Sequence, residues 1–152
     1  MDEGAYLVGG IILIICVAVQ TIATVTILRM MQLFAQRGYF NRGSISRLLI
    51  LEFVAIGLLV AFLLQIVLWA LLFMLYGQFG DFQTAFYFSA VNYTTLGYGD
   101  IILSDPVRIL GPLEAANGLL MGGLAASVFF STLSYMFKNR NDMRKTHTPD
   151  TP

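Results

Sequence analysis

One short segment of the chain has a glycine on either side of a tyrosine, between a pair of threonines and an aspartate. It is the run Thr94-Thr95-Leu96-Gly97-Tyr98-Gly99-Asp100. Glycine takes a positive φ at little steric cost, so Gly97 and Gly99 allow left-handed and right-handed residues to alternate. Such alternation turns successive carbonyl oxygens to one side of the strand, while the side chains of Leu96 and Tyr98 point to the other. A line of carbonyl oxygens predicts coordination of a cation in place of its water.

That chemistry requires more than one strand. A single strand cannot stably bury so many unpaired carbonyl groups, because a buried polar group without a partner costs free energy. Four strands around an axis could do so if cations on the axis bound the oxygens. A short helix is predicted directly before the strand, over about residues 82–93, with Asp81 as its N-cap. The partial negative charge at its C-terminus would point at the path of the cations.

The elements that must position this segment are predicted to lie in a membrane. Hydrophobic residues make up 57% of the 152-residue chain and charged residues 12%, whereas a soluble domain is about 25% charged. The mean hydropathy is +0.75. This composition excludes a disordered protein, a coiled coil and a basic nucleic-acid binder, and it argues against a soluble enzyme.

Charge-free stretches locate the predicted spans at residues 4–28, 53–77 and 115–137. Each is long enough for the roughly 20 residues that a helix needs to cross the hydrocarbon core. The uncharged stretch at residues 82–99 is different, since Thr, Ser, Asn and Gly interrupt its apolar residues. Irregular backbone at membrane depth is tolerated only where protein or water surrounds it. This stretch is therefore predicted to re-enter the membrane between the second and third spans.

The basic residues predict the direction of the spans. All but one of the nine Lys and Arg residues lie between the first two spans or after the third, namely Arg29, Arg37, Arg42, Arg47, Lys138, Arg140, Arg144 and Lys145. Only Arg108 lies on the other side. The positive-inside rule makes the side with the excess cytoplasmic. The N-terminus is then outside, the C-terminus is in the cytoplasm, and the re-entrant segment enters from outside.

Three residues within the spans are predicted to have structural roles. Cys16 is the single cysteine of the chain and lies in an apolar run, so it is interpreted as a buried thiol without a disulfide inside the chain. Gln20 and Gln65 are polar side chains at membrane depth, and they are predicted to form hydrogen bonds between helices.

The pattern Thr-x-Gly-Tyr-Gly-Asp, placed after a short helix and between two spans, resembles the selectivity filter of potassium channels. Residues 48–137 resemble the pore of small bacterial potassium channels of the two-transmembrane family. The resemblance implies an all-α membrane protein with an outer helix, a re-entrant pore helix and filter, and an inner helix, assembled as a homotetramer. It implies passive K⁺ conduction through the cell membrane, with K⁺ as the bound ion, no other cofactor, no enzymatic activity and no nucleic-acid partner.

The resulting domain organisation has four parts. Residues 1–36 form an additional N-terminal transmembrane helix, residues 37–47 a cytoplasmic linker, residues 48–137 the pore domain, and residues 138–152 a short, disordered cytoplasmic tail. The first span has a single arginine at its cytoplasmic end, so no voltage sensor is expected. The tail is too short for a cytosolic ligand-binding domain.

Carried over position by position, the resemblance gives each filter residue a role. It makes Thr95 the innermost K⁺ ligand, through its hydroxyl and its carbonyl. Leu96, Gly97 and Tyr98 supply successive rings of carbonyl oxygens, and Gly99 lies at the outer mouth. The common valine of the family's filter is Leu96 here, which is expected to change the packing and to retain the ligands.

The resemblance also assigns residues around the filter. Asp100 adds negative charge at the outer mouth, which concentrates cations, and Tyr87 and Phe88 match an aromatic cuff around the filter tyrosine. Some family members bond the filter aspartate to a glutamate whose position is Val91 here, so Asp100 lacks that partner. Glu114 has two interpretations, a carboxylate that acts behind the filter or a solvated carboxylate favoured at a helix start.

The third span has two further features. Gly118, Gly122 and Gly123 either allow close packing of helices or let the inner helix bend during gating, as in the resembling family. A set of four residues recurs at helical spacing and is predicted to line the cavity, although the same spacing describes a packed face: Met121, Ala125, Phe129 and Thr132.

Two other functions fit the same sequence less well. One is a subunit of a potassium transporter, although such transporters carry four filter-like repeats in one long chain. The other is a non-conducting accessory membrane protein in which the first span binds a partner.

Overall fold

The computed structural model describes the backbone of residues 3–39 and 43–145, and the side chains of residues 4–39 and 43–137. Arg42 and the tail after residue 145 lie outside the described residues, as do the side chains of the basic residues over 138–145. The elements are four α-helices: α1 Glu3–Gln36, α2 Ser44–Leu75, α3 Phe82–Tyr93 and α4 Leu110–Lys145. A 3₁₀ turn over Asp105–Val107 precedes α4.

Three helices are long and apolar enough to cross a membrane, which confirms the three predicted spans. These candidate spans are Gly4–Gln36, Ser44–Leu75 and Asp105–Phe137. Each runs past its charge-free centre, because a helix that has already formed extends at little cost through residues of ordinary helix propensity. The described helices therefore extend beyond the predicted spans. Residues 44–47, at the end of the predicted linker, form the first turn of α2, and residues 138–145 continue α4, so the prediction of disorder is wrong for them. The domain boundaries themselves stay a prediction.

The helices α1 and α4 run in the same direction. Near its N-terminus, Gly9 of α1 faces the side chain of Leu110 at the start of α4. Near the opposite end, the Thr132 hydroxyl of α4 lies 3.2 Å from the sulfur of Met31 in α1. The start of α1 and the start of α4 therefore lie at the same end of the molecule.

The helices α1 and α2 are antiparallel. Gln65 Nε2 in α2 donates a hydrogen bond to Gln20 Oε1 in α1 at 3.0 Å, which confirms the predicted interhelical hydrogen bond. Further along α1, the side chain of Ile27 packs against Gly57, which lies earlier in α2. Cys16 is fully buried and free, as predicted.

Two hydrophobic cores lie along the bundle. The first, beside α3, includes Trp69, Phe73, Phe88, Tyr93, Leu103 and Leu110. The second, towards the C-terminal end of α1, includes Ile27, Met31, Ile50, Val54 and Met136. Because α3 packs between α2 and α4, the first core fixes the position of the short helix and of the strand that follows it.

Candidate functional site

The short helix α3 begins and ends where the sequence predicts. Asp81 is its N-cap, and the Asp81 carboxylate accepts hydrogen bonds from the Thr84 amide and the Thr84 hydroxyl, both at 2.8 Å. These bonds stabilise the ionised form and lower the pKa of Asp81. At the other end, the Thr94 hydroxyl donates to the carbonyl of Ala90 at 2.7 Å, which caps the last turn.

Buried contacts fix α3 against α2 and α4. The Ser89 hydroxyl lies 2.9 Å from the carbonyl of Ile66 in α2 and also contacts the Glu114 carboxyl in α4. The ring of Phe88 lies 5.2 Å from those of Phe73 and Phe79. The chain beyond α3 therefore starts from a firmly packed point.

After α3 the backbone folds back on the last turn of the helix. The amide of Thr95 donates to the carbonyl of Asn92 at 2.8 Å. The carbonyl of Val91 accepts from the amides of Leu96 and Gly97, at 2.9 and 3.3 Å. Residues 95–99 are called here the 95–99 strand. The amides of its first three residues thus bond to carbonyls of α3. No hydrogen bond among the described residues ends on a carbonyl of this strand.

The 95–99 strand has a positive φ at every second residue. The values are 61° at Thr95, 56° at Gly97 and 72° at Gly99. Two of these positions are the glycines that the sequence singles out. The third is a β-branched residue, for which a left-handed conformation costs about 1–2 kcal/mol. Such a cost persists only where the surroundings impose the conformation, and this occurs most often at functional sites.

The large side chains of the 95–99 strand are uncovered in one chain. Leu96 is 56% exposed and Tyr98 is 66% exposed. Phe88, one of the two residues predicted to form the aromatic cuff, is buried in the core of its own chain, while Tyr87 is 42% exposed beside the strand.

Asp100 has a hydrogen-bond partner that the sequence analysis did not identify. The Tyr87 hydroxyl donates to Asp100 Oδ2 at 2.8 Å, and this bond raises the pKa of Tyr87. Val91, where some related channels have a glutamate, is buried at 9% exposure. The hydrogen-bond partner of Asp100 is thus Tyr87, one helical turn before Val91. The sequence contained a signal for this bond, because Tyr87 and Val91 are four residues apart and therefore lie on the same face of α3.

Glu114 is fully buried, which excludes the interpretation as a solvated carboxylate at a helix start. Its carboxyl contacts Ser89 and lies beside Asn92, so it faces the last turns of α3. The Ser89 hydroxyl has one proton, and the carbonyl of Ile66 only accepts. Both contacts of Ser89 are therefore hydrogen bonds only if Glu114 is the protonated acid and donates.

The three glycines of α4 have different surroundings. A Cβ atom on Gly118 would lie 1.8 Å from the carbonyl oxygen of Tyr93, the last residue of α3. On Gly122 it would meet only the edge of the Phe62 ring at 4.0 Å, and on Gly123 nothing within 4 Å. Gly118 is thus required for close packing of α4 on α3. The role of the three glycines as a hinge stays a prediction.

The predicted cavity lining is wrong for two of its four residues. Met121 is 2% exposed and Thr132 is 1% exposed within a single chain. Met121 belongs to the core that includes Cys16 of α1, and Thr132 contacts Met31. Because α1 covers this face of α4, the helical spacing marks a packed face and not an open cavity.

Comparison with known families is consistent with this geometry. The sequence profile of a family described as "Ion channel" matches residues 47–135, which is more than half of the 152-residue chain. The matched region contains nearly all of α2, all of α3, the 95–99 strand and most of α4, and it leaves out α1. No curated protein and no solved structure matches the chain. The chain therefore belongs to a family of ion channels, which conduct ions and are not enzymes, and it carries the family's domain after one additional membrane helix.

Proposed function

We propose that the protein is a potassium-selective channel in which Thr95, Leu96, Gly97, Tyr98 and Gly99 supply the oxygens that bind K⁺. The observation that carries this proposal is the alternation of positive φ along the 95–99 strand. Alternation of this kind aims successive carbonyl oxygens to one side. Rings of carbonyl oxygens replace the hydration shell of K⁺ in selective filters.

The channel is a homotetramer, because one strand contributes one carbonyl oxygen to each ring and four are needed around the axis. Two observations support the assembly. The carbonyls of the 95–99 strand accept no hydrogen bond from the described residues, which leaves their oxygens free to bind cations. The exposed Leu96 and Tyr98 side chains would be covered by neighbouring copies, with the exposed Tyr87 beside them as the aromatic cuff and Phe88 behind it in the core of its own chain.

Residues around the strand tune conduction. Asp100 concentrates cations at the outer mouth, and Tyr87 holds its carboxylate in place. Glu114 supports the pore helix α3 from behind through Ser89. Gly118 keeps α4 close to α3, and Gly122 or Gly123 lets the inner helix bend.

The protein lies in the cell membrane with its N-terminus outside and its C-terminus in the cytoplasm. The excess of basic residues on one side supports this direction. The parallel course of α1 and α4 fits it too, because the N-terminus of α1, the start of α4 and the 95–99 strand then share the outer side. The compact pore formed by α2, α3 and α4 suits a bacterial potassium channel.

The test is ion flux into liposomes that contain only the purified protein. K⁺ uptake is expected to exceed Na⁺ uptake and to be blocked by Ba²⁺, and native mass spectrometry is expected to give a tetramer. Equal uptake of both ions by a folded tetramer would refute selectivity. Unitary current steps in a bilayer separate the channel from a transporter, which turns over too slowly to show them. An accessory protein would give no flux at all.

A further inference from the structure

A chain of hydrogen bonds joins the additional helix α1 to the end of the pore helix. Gln65 in α2 is its middle member. Its Nε2 donates to Gln20 Oε1 at 3.0 Å, and its Oε1 accepts from the Tyr93 hydroxyl at 2.7 Å. The three side chains, called here the Gln–Tyr chain, are each at most 1% exposed.

Gln65 has little freedom to exchange these partners. Its Nε2 also donates to the carbonyl of Ala61 at 3.1 Å, so both amide hydrogens and the amide oxygen are used. A rotation of the side chain would break several bonds inside a buried region, where an unpaired polar group is costly. The amide of Gln65 therefore transmits the position of Gln20 to Tyr93.

Tyr93, at the end of α3, is contacted directly by both α2 and α4. Its hydroxyl bonds to α2, its ring packs edge-on against Phe62 at 4.9 Å, and its carbonyl lies against Gly118 of α4. Thr95, where the backbone turns to a positive φ, follows shortly after it. A shift of Tyr93 therefore moves the starting point of the 95–99 strand.

The other hydrogen bonds that anchor α3 among the described residues do not involve α1. Asp81 caps the helix within its own first turn, and Ser89 bonds to α2 and α4. Among the described residues, the hydrogen-bonded route from α1 to the pore helix thus runs through Gln65. One turn before Gln20, Cys16 lies beside Asn117 of α4 and Trp69 of α2. These contacts hold α1 against both helices near the Gln–Tyr chain.

We propose that Gln20 and Tyr93 are positioning residues for the filter, through which α1 sets the fraction of time that the 95–99 strand conducts. The inference rests on the proposed function of that strand. It gives the additional helix a defined role in the channel, since α1 holds the end of the pore helix in the geometry from which the filter starts.

The test is single-channel recording in planar bilayers with equal KCl on both sides. Gln20→Met removes the acceptor at similar volume, and Tyr93→Phe removes one oxygen while keeping the ring against Phe62. Each is expected to lower the ratio of conducting to non-conducting time about threefold for every chain of the tetramer that carries it, since threefold corresponds to the ~0.6 kcal/mol typical of one hydrogen bond between membrane helices. The double variant is expected to match the larger single effect, because both changes interrupt the same route.

The control is Thr21→Val, in the same turn of α1. The Thr21 hydroxyl is exposed and bonds only within α1, to the carbonyl of Val17 at 2.8 Å, so the ratio should not change. The melting temperature of each tetramer is measured beside the recordings. A purely structural role would lower it without changing the ratio, and that result overturns the inference.

The remaining outcomes also decide the question. Effects that add in the double variant would mean that Gln20 and Tyr93 act separately, which contradicts a shared route. If Gln20→Met does not assemble, Tyr93→Phe alone must change the ratio. Unchanged variants of a conducting wild type overturn this inference alone. A wild type without unitary K⁺ currents overturns the proposed function, and this inference with it.

Discussion

The 95–99 strand and the Gln–Tyr chain are two polar regions at similar depth that satisfy their polar groups in different ways. The carbonyls of the strand accept no hydrogen bond from the described residues. In the Gln–Tyr chain, by contrast, Gln65 makes three hydrogen bonds to residues of the same polypeptide. One region is thus held by hydrogen bonds within a single polypeptide, whereas the carbonyls of the other are left to the cations and neighbouring copies of the proposed channel.

Because of this difference, substitutions in the two regions should affect different properties, conduction in one case and folding stability in the other. A change in the strand should remove conduction or selectivity while each chain still folds, because the strand contributes little to the cores of one chain. A change behind the strand should first be seen in stability. Four substitutions test that separation, in decreasing order of expected effect.

The largest effect is expected for Gly99→Ala. Gly99 has a φ of 72°, where an L side chain costs about 1–2 kcal/mol in each chain. The strand would leave the alternating conformation, so the preference for K⁺ over Na⁺ should be lost, or conduction abolished. Flux into liposomes measures both. Gly10→Ala, in open space on α1, is the control, and an unchanged Gly99→Ala channel would contradict the role of the backbone.

The next effect is expected for Gly118→Ala. The added methyl group would lie 1.8 Å from the carbonyl oxygen of Tyr93, so α3 and α4 must move apart at a cost of about 1–3 kcal/mol. Thermal unfolding of the purified protein should show a clear loss of stability. Gly123→Ala has free space around the new group and should unfold like the wild type. Equal stability of the two variants would argue that Gly118 is not a packing position.

An effect of similar size is expected at the contact between Ser89 and Glu114. Ser89→Ala leaves the buried carboxyl without this partner and should destabilise the protein by about 1–3 kcal/mol. Adding Glu114→Leu removes the unpaired group, so the double variant should regain most of the loss. Chemical unfolding of all variants measures the coupling, and simple addition of the two single effects would be inconsistent with the contact.

The smallest effect is expected for Tyr87→Phe. The hydrogen bond to Asp100 is at an exposed position, where such bonds contribute about 1 kcal/mol or less. The melting temperature should change by no more than a few degrees, while Asp100 becomes freer at the mouth and unitary K⁺ current falls modestly. Tyr6→Phe, near the exposed start of α1, is the control. A loss of K⁺ selectivity would show that Tyr87 shapes the filter itself.

Much of the architecture could be predicted from the sequence because its signals are local. The three charge-free stretches locate the three long helices, and Asp81 together with the polar stretch after it fixes the bounds of α3. The positions of Gly97 and Gly99 predict a positive φ at both. Each of these features depends on residues that are close in sequence, so the order and the types of the residues are enough to predict it.

The rest depends on which helix faces are paired, and a single sequence does not specify that. Helical spacing grouped Met121 and Thr132 as a cavity lining, but α1 packs on that face and buries both. The interhelical bond of Gln20 and Gln65 was predicted, whereas its continuation to Tyr93 was not. A tyrosine at the end of an apolar helix has no sequence signal that names its partner in another helix.

The reversal potential of the purified protein in a planar bilayer, with KCl on one side and an equal concentration of NaCl on the other, tests the central claim most directly. Carbonyl rings formed by the 95–99 strand should give a reversal potential far from zero, with the sign that K⁺ permeation produces. A reversal potential near zero, from channels that open in unitary steps, would show that the strand does not select K⁺.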